Sequence, residues 1–330
     1  DPFATLIRTP IAQRMRHIRL SNIDSVDLPS IANLSRFEHV VGVAHLANLV
    51  GFRSRLSATE MLALDAAALL HDWAITSFGH LVEEALQYAG TGFQHETHLS
   101  KLAVKEGKEV EVGGVEHRQI LGGREMGLST WVQKVTSSTA ESDRLLADIT
   151  SYIQGHGKFG KVIAGTIDLD NIDNVTRMAY HMGLTRSGDL PLRLAKAISD
   201  VDSKSGDPVF DQSAVTDLEK WLALRRSVYD LLMLSEGDFA GKLMLISATV
   251  AAFREGQFQR VDWSMTDSEF FESIRTSKIP FVRETATRWL VGELWDLAPL
   301  TWFAGKRPDY QRLAEFSKEL TSLLGRPCCT

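Results

Sequence analysis

Apolar residues recur at helical spacing over most of the chain. Within residues 36–50, Phe37, Val40, Val41, Ala44, Ala47 and Leu49 fall close to one broad face, which predicts a helix bearing His39. Ser57-Ala58-Thr59-Glu60 has the spacing of a capping box: the serine accepts from first-turn amides and the glutamate reaches back. The apolar run from Met61 onward should then be a second helix, delivering His71-Asp72 at its C-terminal end. The period changes between Lys108 and Leu121, where Val110 and Val112 alternate with glutamates before Gly113-Gly114, a pattern that predicts a small β-hairpin. Gly155–Gly165 is glycine-rich and basic and reads as a surface loop, Lys158 and Lys161 included, running into a further helix. Residues 213–254 and 281–297 again carry helical stripes, and Ser203–Pro208 is the best internal linker candidate. The expected fold class is all-α, with a core over 1–202 and a helical C-terminal extension over 203–330 packed on it.

Composition narrows the function classes. The chain has 330 residues, 44% hydrophobic and 24% charged, the balance of an ordinary globular protein with a sizeable core. A formal net charge of −6 argues against a nucleic-acid-coating role, while leaving room for a local phosphate site. Cys328 and Cys329 are adjacent, so they neither staple distant segments nor show metal-site spacing, and a reducing cytoplasm is the expected setting. No run of 18 apolar residues occurs, so no membrane partner is expected. The first residues are Asp1-Pro2, so loss of an initiator or short leader is expected.

An adjacent His-Asp pair offers one nitrogen and one oxygen donor, a mixture that divalent Mn, Fe, Co, Ni or Zn accepts. Alone, such a dipeptide is more often a helix-end charge pair. Here it stands in an ordered series: RFEH at 36–39, HDWAITSFGH at 71–80, FQHE at 93–96 and IDLDNID at 167–173. In order and spacing this series resembles the HD-superfamily phosphohydrolases, in particular the branch of bacterial dGTPases and the mammalian deoxynucleotide triphosphohydrolase. The opening DPFATLIRTPIAQRMRHIRL is similar to that branch's first segment, and the likeness runs through WLALRRSVYDLL to DWSMTDSEFFESI. The resemblance implies an HD-domain helical bundle in which His39, His71, Asp72 and Asp170 hold a divalent metal (Mn, Fe, Mg, Co or Ni). It implies that His80 and His95 handle protons, with Glu83 orienting His95, and that Arg36 and Arg225 contact phosphate. In that family the residues matching Asp168 and Asp173, which flank Asp170, are mainly structural, so they rank below it. A small phosphorylated substrate, a nucleotide or nucleotide-like metabolite, and a homo-oligomer are the partners implied.

The series also departs from that branch. Ile75 stands in place of an active-site histidine, Asn171 and Asn174 in place of a lysine and a tyrosine facing the phosphates, Met178 in place of a sugar-contacting aspartate, and Leu20 in place of a glutamine near the sugar. The metal donors are kept while groups that would grip a deoxyribose or a triphosphate are lost. Hydrolysis of a phosphoester or phosphoanhydride is therefore a firmer expectation than a particular nucleotide. Two rivals stay open: a di-iron HD-type oxygenase, with His80, His95 or His98 as ligands of a second metal, and a degenerate nucleotide-binding sensor.

Overall fold

The computed structural model describes residues 2–21, 28, 34–104, 128–232, 235–258, 263–296 and 309–325, and its architecture is mainly helical, as expected. The helices are α1 (Phe3–Ile7), α2 (Pro10–Arg14), α3 (Arg36–Arg53), α4 (Ala58–Leu70), α5 (His80–Tyr88), α6 (His95–Val104), α7 (Leu128–Val135) and α8 (Thr139–Ile153). They continue as α9 (Gly160–Ile163), α10 (Leu169–His181), α11 (Leu190–Ala197), α12 (Val215–Leu232), α13 (Glu236–Arg254), α14 (Asp267–Arg275), α15 (Pro280–Leu290) and α16 (Tyr310–Leu324). The hairpin expected at 108–121 lies outside the described residues. A separate antiparallel pair joins β1 (Ile198–Val201) to β2 (Pro208–Phe210). The stretch read as a linker supplies its turn, where the Asp202 carboxylate accepts from the amides of Lys204 and Ser205.

α3 is the central element, packed against α4, α10 and α11. Its start is fixed by a second box of the Ser-x-x-Glu kind, Glu38 reaching back to the Ser35 amide. The box at Ser57 and Glu60 opens α4 as expected, with the carboxylate 3.0 Å from the Ser57 amide. The buried stripe of α3 is not the one its apolar residues suggested. Arg36, His39, Val40, Val43, Leu46, Ala47 and Val50 face inward, whereas Val41 is exposed. Two polar side chains occupy inward positions because the site is there, so counting apolar residues alone misplaces the centre of the stripe.

A second group of helices closes the other side: α13 packs on α5 and α15, and α14 on α15. Arg14 joins the two groups. Its guanidinium donates to the carbonyls of Trp263, Ser264 and Met265 and, at 2.9 Å, to that of Ile75, three residues past Asp72. Asp267 at the start of α14 accepts from the Phe78 amide at 2.6 Å. Phe78 and Gly79 both have positive φ, 53° and 59°, a backbone that strains phenylalanine, and the Asp267 bond together with Phe78's burial against Phe270 and Trp289 holds it. This clamped turn sets His80 as the first residue of α5.

Candidate metal centre and adjoining cavity

His39, on the second turn of α3, and His71, at the C-terminus of α4, meet edge to face with ring centroids 5.4 Å apart. Asp72 follows on the turn after α4, and Asp170 comes from the first turn of α10. The His39 Nε2 lies 2.9 Å from Asp170 Oδ1 and 3.9 Å from Asp72 Oδ2. The His71 Nε2 lies 3.7 Å from Asp72 Oδ2 and 3.8 Å from Asp170 Oδ1. His39, His71 and Asp170 thus bring ligand atoms within 4.8 Å of one another, and Asp72 Oδ2 lies within 4 Å of both imidazoles. His39, His71 and Asp72 are buried, and Asp170, with its side chain 35% exposed, marks the open side.

Each ring is held by its other nitrogen. The His39 Nδ1 is 2.8 Å from Asp173 Oδ2, and Asp173 is gripped in turn by two nitrogens of Arg177, one helical turn on. The His71 Nδ1 is 2.8 Å from the Ala68 carbonyl. With Nδ1–H donating in both rings, each Nε2 faces the centre; the His71 Nε2 is buried without a hydrogen-bond partner, and the His39 Nε2 lies against Asp170 Oδ1. The His39 lone pair against a carboxylate oxygen calls for a cation or a proton between them. Against the burial that opposes charge, Asp170 and Asp173 raise His39 to about 9, the direction that places a proton between the two atoms. Burial is likewise outweighed at Asp72, where Arg36 and the histidines hold the carboxyl well below its ordinary value.

Asp72 also faces a second pair of imidazoles. The His95 Nε2 is 3.6 Å from Asp72 Oδ1, and its Nδ1 is 2.9 Å from Glu83 Oε2, while Glu83 Oε1 accepts the His95 amide at 3.0 Å. Burial opposes a charge on His95, but Glu83 raises it to about 9. His80 packs edge to face on His95, with centroids 5.1 Å apart, and is pushed the other way, to about 4, by desolvation and by the charges of Arg36 and His95. Because His80 is exposed, the two neighbouring cations are the firmer cause of that direction.

Arg36 enters the site with its guanidinium committed: it pairs with Asp72 and donates to the carbonyls of Arg19 and Leu20 at 3.2 Å. Arg225 stacks on Tyr229 of its own helix, 4.5 Å from the ring centroid, and none of the hydrogen bonds or ion pairs of the cluster among the described residues involves it. Asp168 caps α10 through the Asn171 amide. His98 packs between Phe93 and Trp263. Leu20 and Met178 meet in a small apolar cluster with Leu34, Ala179, Val228 and Leu232, and Ile75 is wholly buried in the main core.

A cavity of about 560 Å³ begins at His80 and His95 and extends between α5, α6, the end of α8 and α13. Sequence reasoning did not find its outer residues Gln94, Gln154, His156, Lys242 and Tyr310, which lie far apart in the chain. Nor did it find Arg177, although the four-residue spacing from Asp173 is a readable helical ion pair.

No family model matches the chain. An uncharacterized protein of Methanocaldococcus jannaschii is 24% identical over 258 residues, 77% of this chain and 47% of the relative, so the chain spans about half the length of the curated relative it matches. A phosphohydrolase of Bacteroides thetaiotaomicron is similar in structure, with a TM-score of 0.63 and 18% identity over 98% of this chain and 80% of that one. The fold is therefore shared with a phosphohydrolase over nearly the whole chain, around a buried His/Asp group that could hold a metal. Among the described residues no helix is long and apolar enough to cross a membrane.

Proposed function

We propose that this chain is a metal-dependent phosphohydrolase of the HD type that hydrolyses a phosphoester or phosphoanhydride of a nucleotide or nucleotide-like metabolite. The observation that carries this reading is the approach of His39, His71 and Asp170 ligand atoms to within 4.8 Å of one another, with Asp72 Oδ2 within 4 Å of both imidazole Nε2 atoms. Two imidazoles and two carboxylates suit Mn, Fe, Co, Ni or Zn better than Mg, which prefers oxygen donors. A divalent ion held there would supply Lewis acidity toward a phosphoryl oxygen and make a water more acidic. Asp173 and the Ala68 carbonyl keep the two rings in the tautomer that ligation needs.

His95 is the better placed proton donor. Glu83 fixes its Nδ1, which aims Nε2 between Asp72 and the cavity, and the same carboxylate favours the imidazolium. As the phosphorus–oxygen bond breaks with its electron pair on the departing oxygen, His95 Nε2–H supplies the proton there, while the attacking water gives its own proton to solvent. His80, held neutral by its cationic neighbours, offers a hydrogen bond to a phosphoryl or leaving oxygen. Arg36 acts chiefly on Asp72 and reaches phosphate only if that pair loosens. The apolar Leu20–Met178 cluster supports the view that a deoxyribose is not gripped as in triphosphate hydrolases of the resembling branch.

The test is to reconstitute the full chain with Mn, Fe, Co or Ni, count bound metal, and assay nucleoside mono-, di- and triphosphates by product mass. One metal per chain with release of a dephosphorylated product is expected. Tight nucleotide binding with no hydrolysis across the panel would instead identify a sensor. A two-metal oxygenase is a second reading with its own observation: Asp72, His80 and His95 also bring ligand atoms within 4.8 Å of one another. Two irons per chain and oxygen-dependent turnover would establish it.

A further inference from the structure

The cavity beside His80 and His95 has its own chemistry. None of His39, His71, Asp72 or Asp170 lines it, so the imidazole pair stands between the four-donor centre and the cavity. A phosphate at the centre would therefore have its His95-side substituent, the departing one, in the cavity. The charges there speak against a polyanion. Glu83, Glu84 and Glu96 line it, Glu83 is bonded to His95, and its one lysine among the described residues, Lys242, is 2.8 Å from Glu84. No arginine lines it among the described residues. A phosphate tail placed there would meet Glu96 and two cations already paired, His95 with Glu83 and Lys242 with Glu84, so the wall brings it more carboxylates than unpaired positive charge. What remains is hydrogen-bonding capacity: Gln87 spends an N–H on the Phe93 carbonyl and the Thr97 hydroxyl donates to Gln94 Oε1, which leaves the Gln87 side-chain oxygen and the Gln94 amide N–H groups for a ligand. The volume falls within the range of small-molecule sites, roughly 300–1,000 Å³.

Resting on the phosphohydrolase reading above, we propose that the cavity seats the leaving alcohol of a phosphate monoester: a polar, uncharged alcohol of about nucleoside size, without a polyphosphate tail. Water adds to phosphorus, the ester bond breaks with its electron pair on the alcohol oxygen, and that oxygen takes a proton from His95, leaving inorganic phosphate and the free alcohol. The glutamates set specificity by excluding anionic leaving groups.

Two measurements on the full chain test this. With metal bound, a nucleoside 5′-monophosphate should be hydrolysed with a kcat/KM at least about tenfold above that of the matching 5′-triphosphate. Without metal, calorimetry should show free nucleoside binding more tightly than inorganic tripolyphosphate. Thr97→Phe, which fills the cavity, should weaken nucleoside binding by about tenfold or more, and Gln94→Leu, at an exposed position, should weaken it without adding bulk in a chain that melts as the parent does. Glu84→Gln, which frees Lys242 from its partner, should raise tripolyphosphate binding. A triphosphate used as well as or better than the monophosphate would overturn the inference. So would nucleoside binding indifferent to both Thr97→Phe and Gln94→Leu. Failure of the underlying reading has a different signature: metal binds, no ester of any kind is cleaved, and the inference falls with it.

Discussion

His39 and His71 are sealed in the protein, 0% and 5% exposed, whereas His95 is buried beside a His80 that opens to solvent and to the cavity. The two pairs share Asp72, whose Oδ2 faces the first and Oδ1 the second. In the first pair both Nδ1 atoms are tied, so both rings are aimed and neither can turn. In the second, His95 Nδ1 is tied to Glu83 and His80 Nδ1 lies 3.5 Å from Arg36 Nη2, and burial and charge push the two rings in opposite directions. Rings aimed by a fixed Nδ1 suit ligation, and rings with separated acidities suit proton transfer. Under the proposed function, the contrast would give different work to residues of one type a few ångströms apart.

That division can be broken most severely at the shared residue. Asp72→Ala should abolish both metal binding and turnover and should also destabilise the fold by about 3–5 kcal/mol, because it strands the buried Arg36. Metal analysis, activity and thermal melting would check all three. Full metal content and activity in Asp72→Ala would end the distinction between the pairs. His98→Ala is a poor control, since His98 fills space between Phe93 and Trp263; His98→Gln, which keeps more of the bulk, should retain metal and most activity.

Glu83→Gln isolates the second pair. Loss of its charge should lower kcat by about 10–100-fold and shift the basic limb of the pH–rate profile downward, with metal content unchanged. Metal loss in step with activity would place His95 among the ligands and favour the two-metal reading. Gly42→Ala isolates the first pair instead. A Cβ on Gly42 would sit 2.5 Å from Asp173 Oδ1 and from Arg177 Nη2, so it must displace the carboxylate that holds His39. Metal affinity should fall by about tenfold, with kcat at saturating metal little changed.

The smallest effect is expected away from both pairs, at Asp65 in α4. Its Oδ1 is buried without a partner and its Oδ2 accepts from Asn48 at 2.8 Å; burial, only partly offset by that bond, raises the carboxyl to about 6. The folded chain thus holds this proton more tightly than the unfolded chain, so the stabilisation is complete below the unfolded value near 4 and is lost as pH rises through 6. Asp65→Asn should raise stability at pH 8 by about 1 kcal/mol, a shift of about 2 units being worth more than that before solvent access is discounted. Melting at pH 4.5 and at pH 8 would check it: the gain should appear only at the higher pH.

Much of this was legible in the chain itself. Local rules act over a few residues, so the capping box at Ser57, the helix carrying His39 and the placement of His71-Asp72 at a helix end could be read directly. The Ser35–Glu38 box obeyed the same rule and was overlooked. The ordered motifs marked His39, His71, Asp72 and Asp170, side chains that the fold brings near one another. Tertiary structure alone decided which face of α3 turns inward, because the inward positions of Arg36 and His39 are set by partners on other helices rather than by hydrophobicity. It alone decided that Arg36 is spent on Asp72, that Asp173 rather than Asp168 supports His39, and that Glu84 and Lys242, 158 positions apart, cancel one another in the cavity wall. Sequence spacing limits which side chains can meet within one helix. Partners on different helices depend on how the whole core packs, and that packing sets the charge and shape of the site.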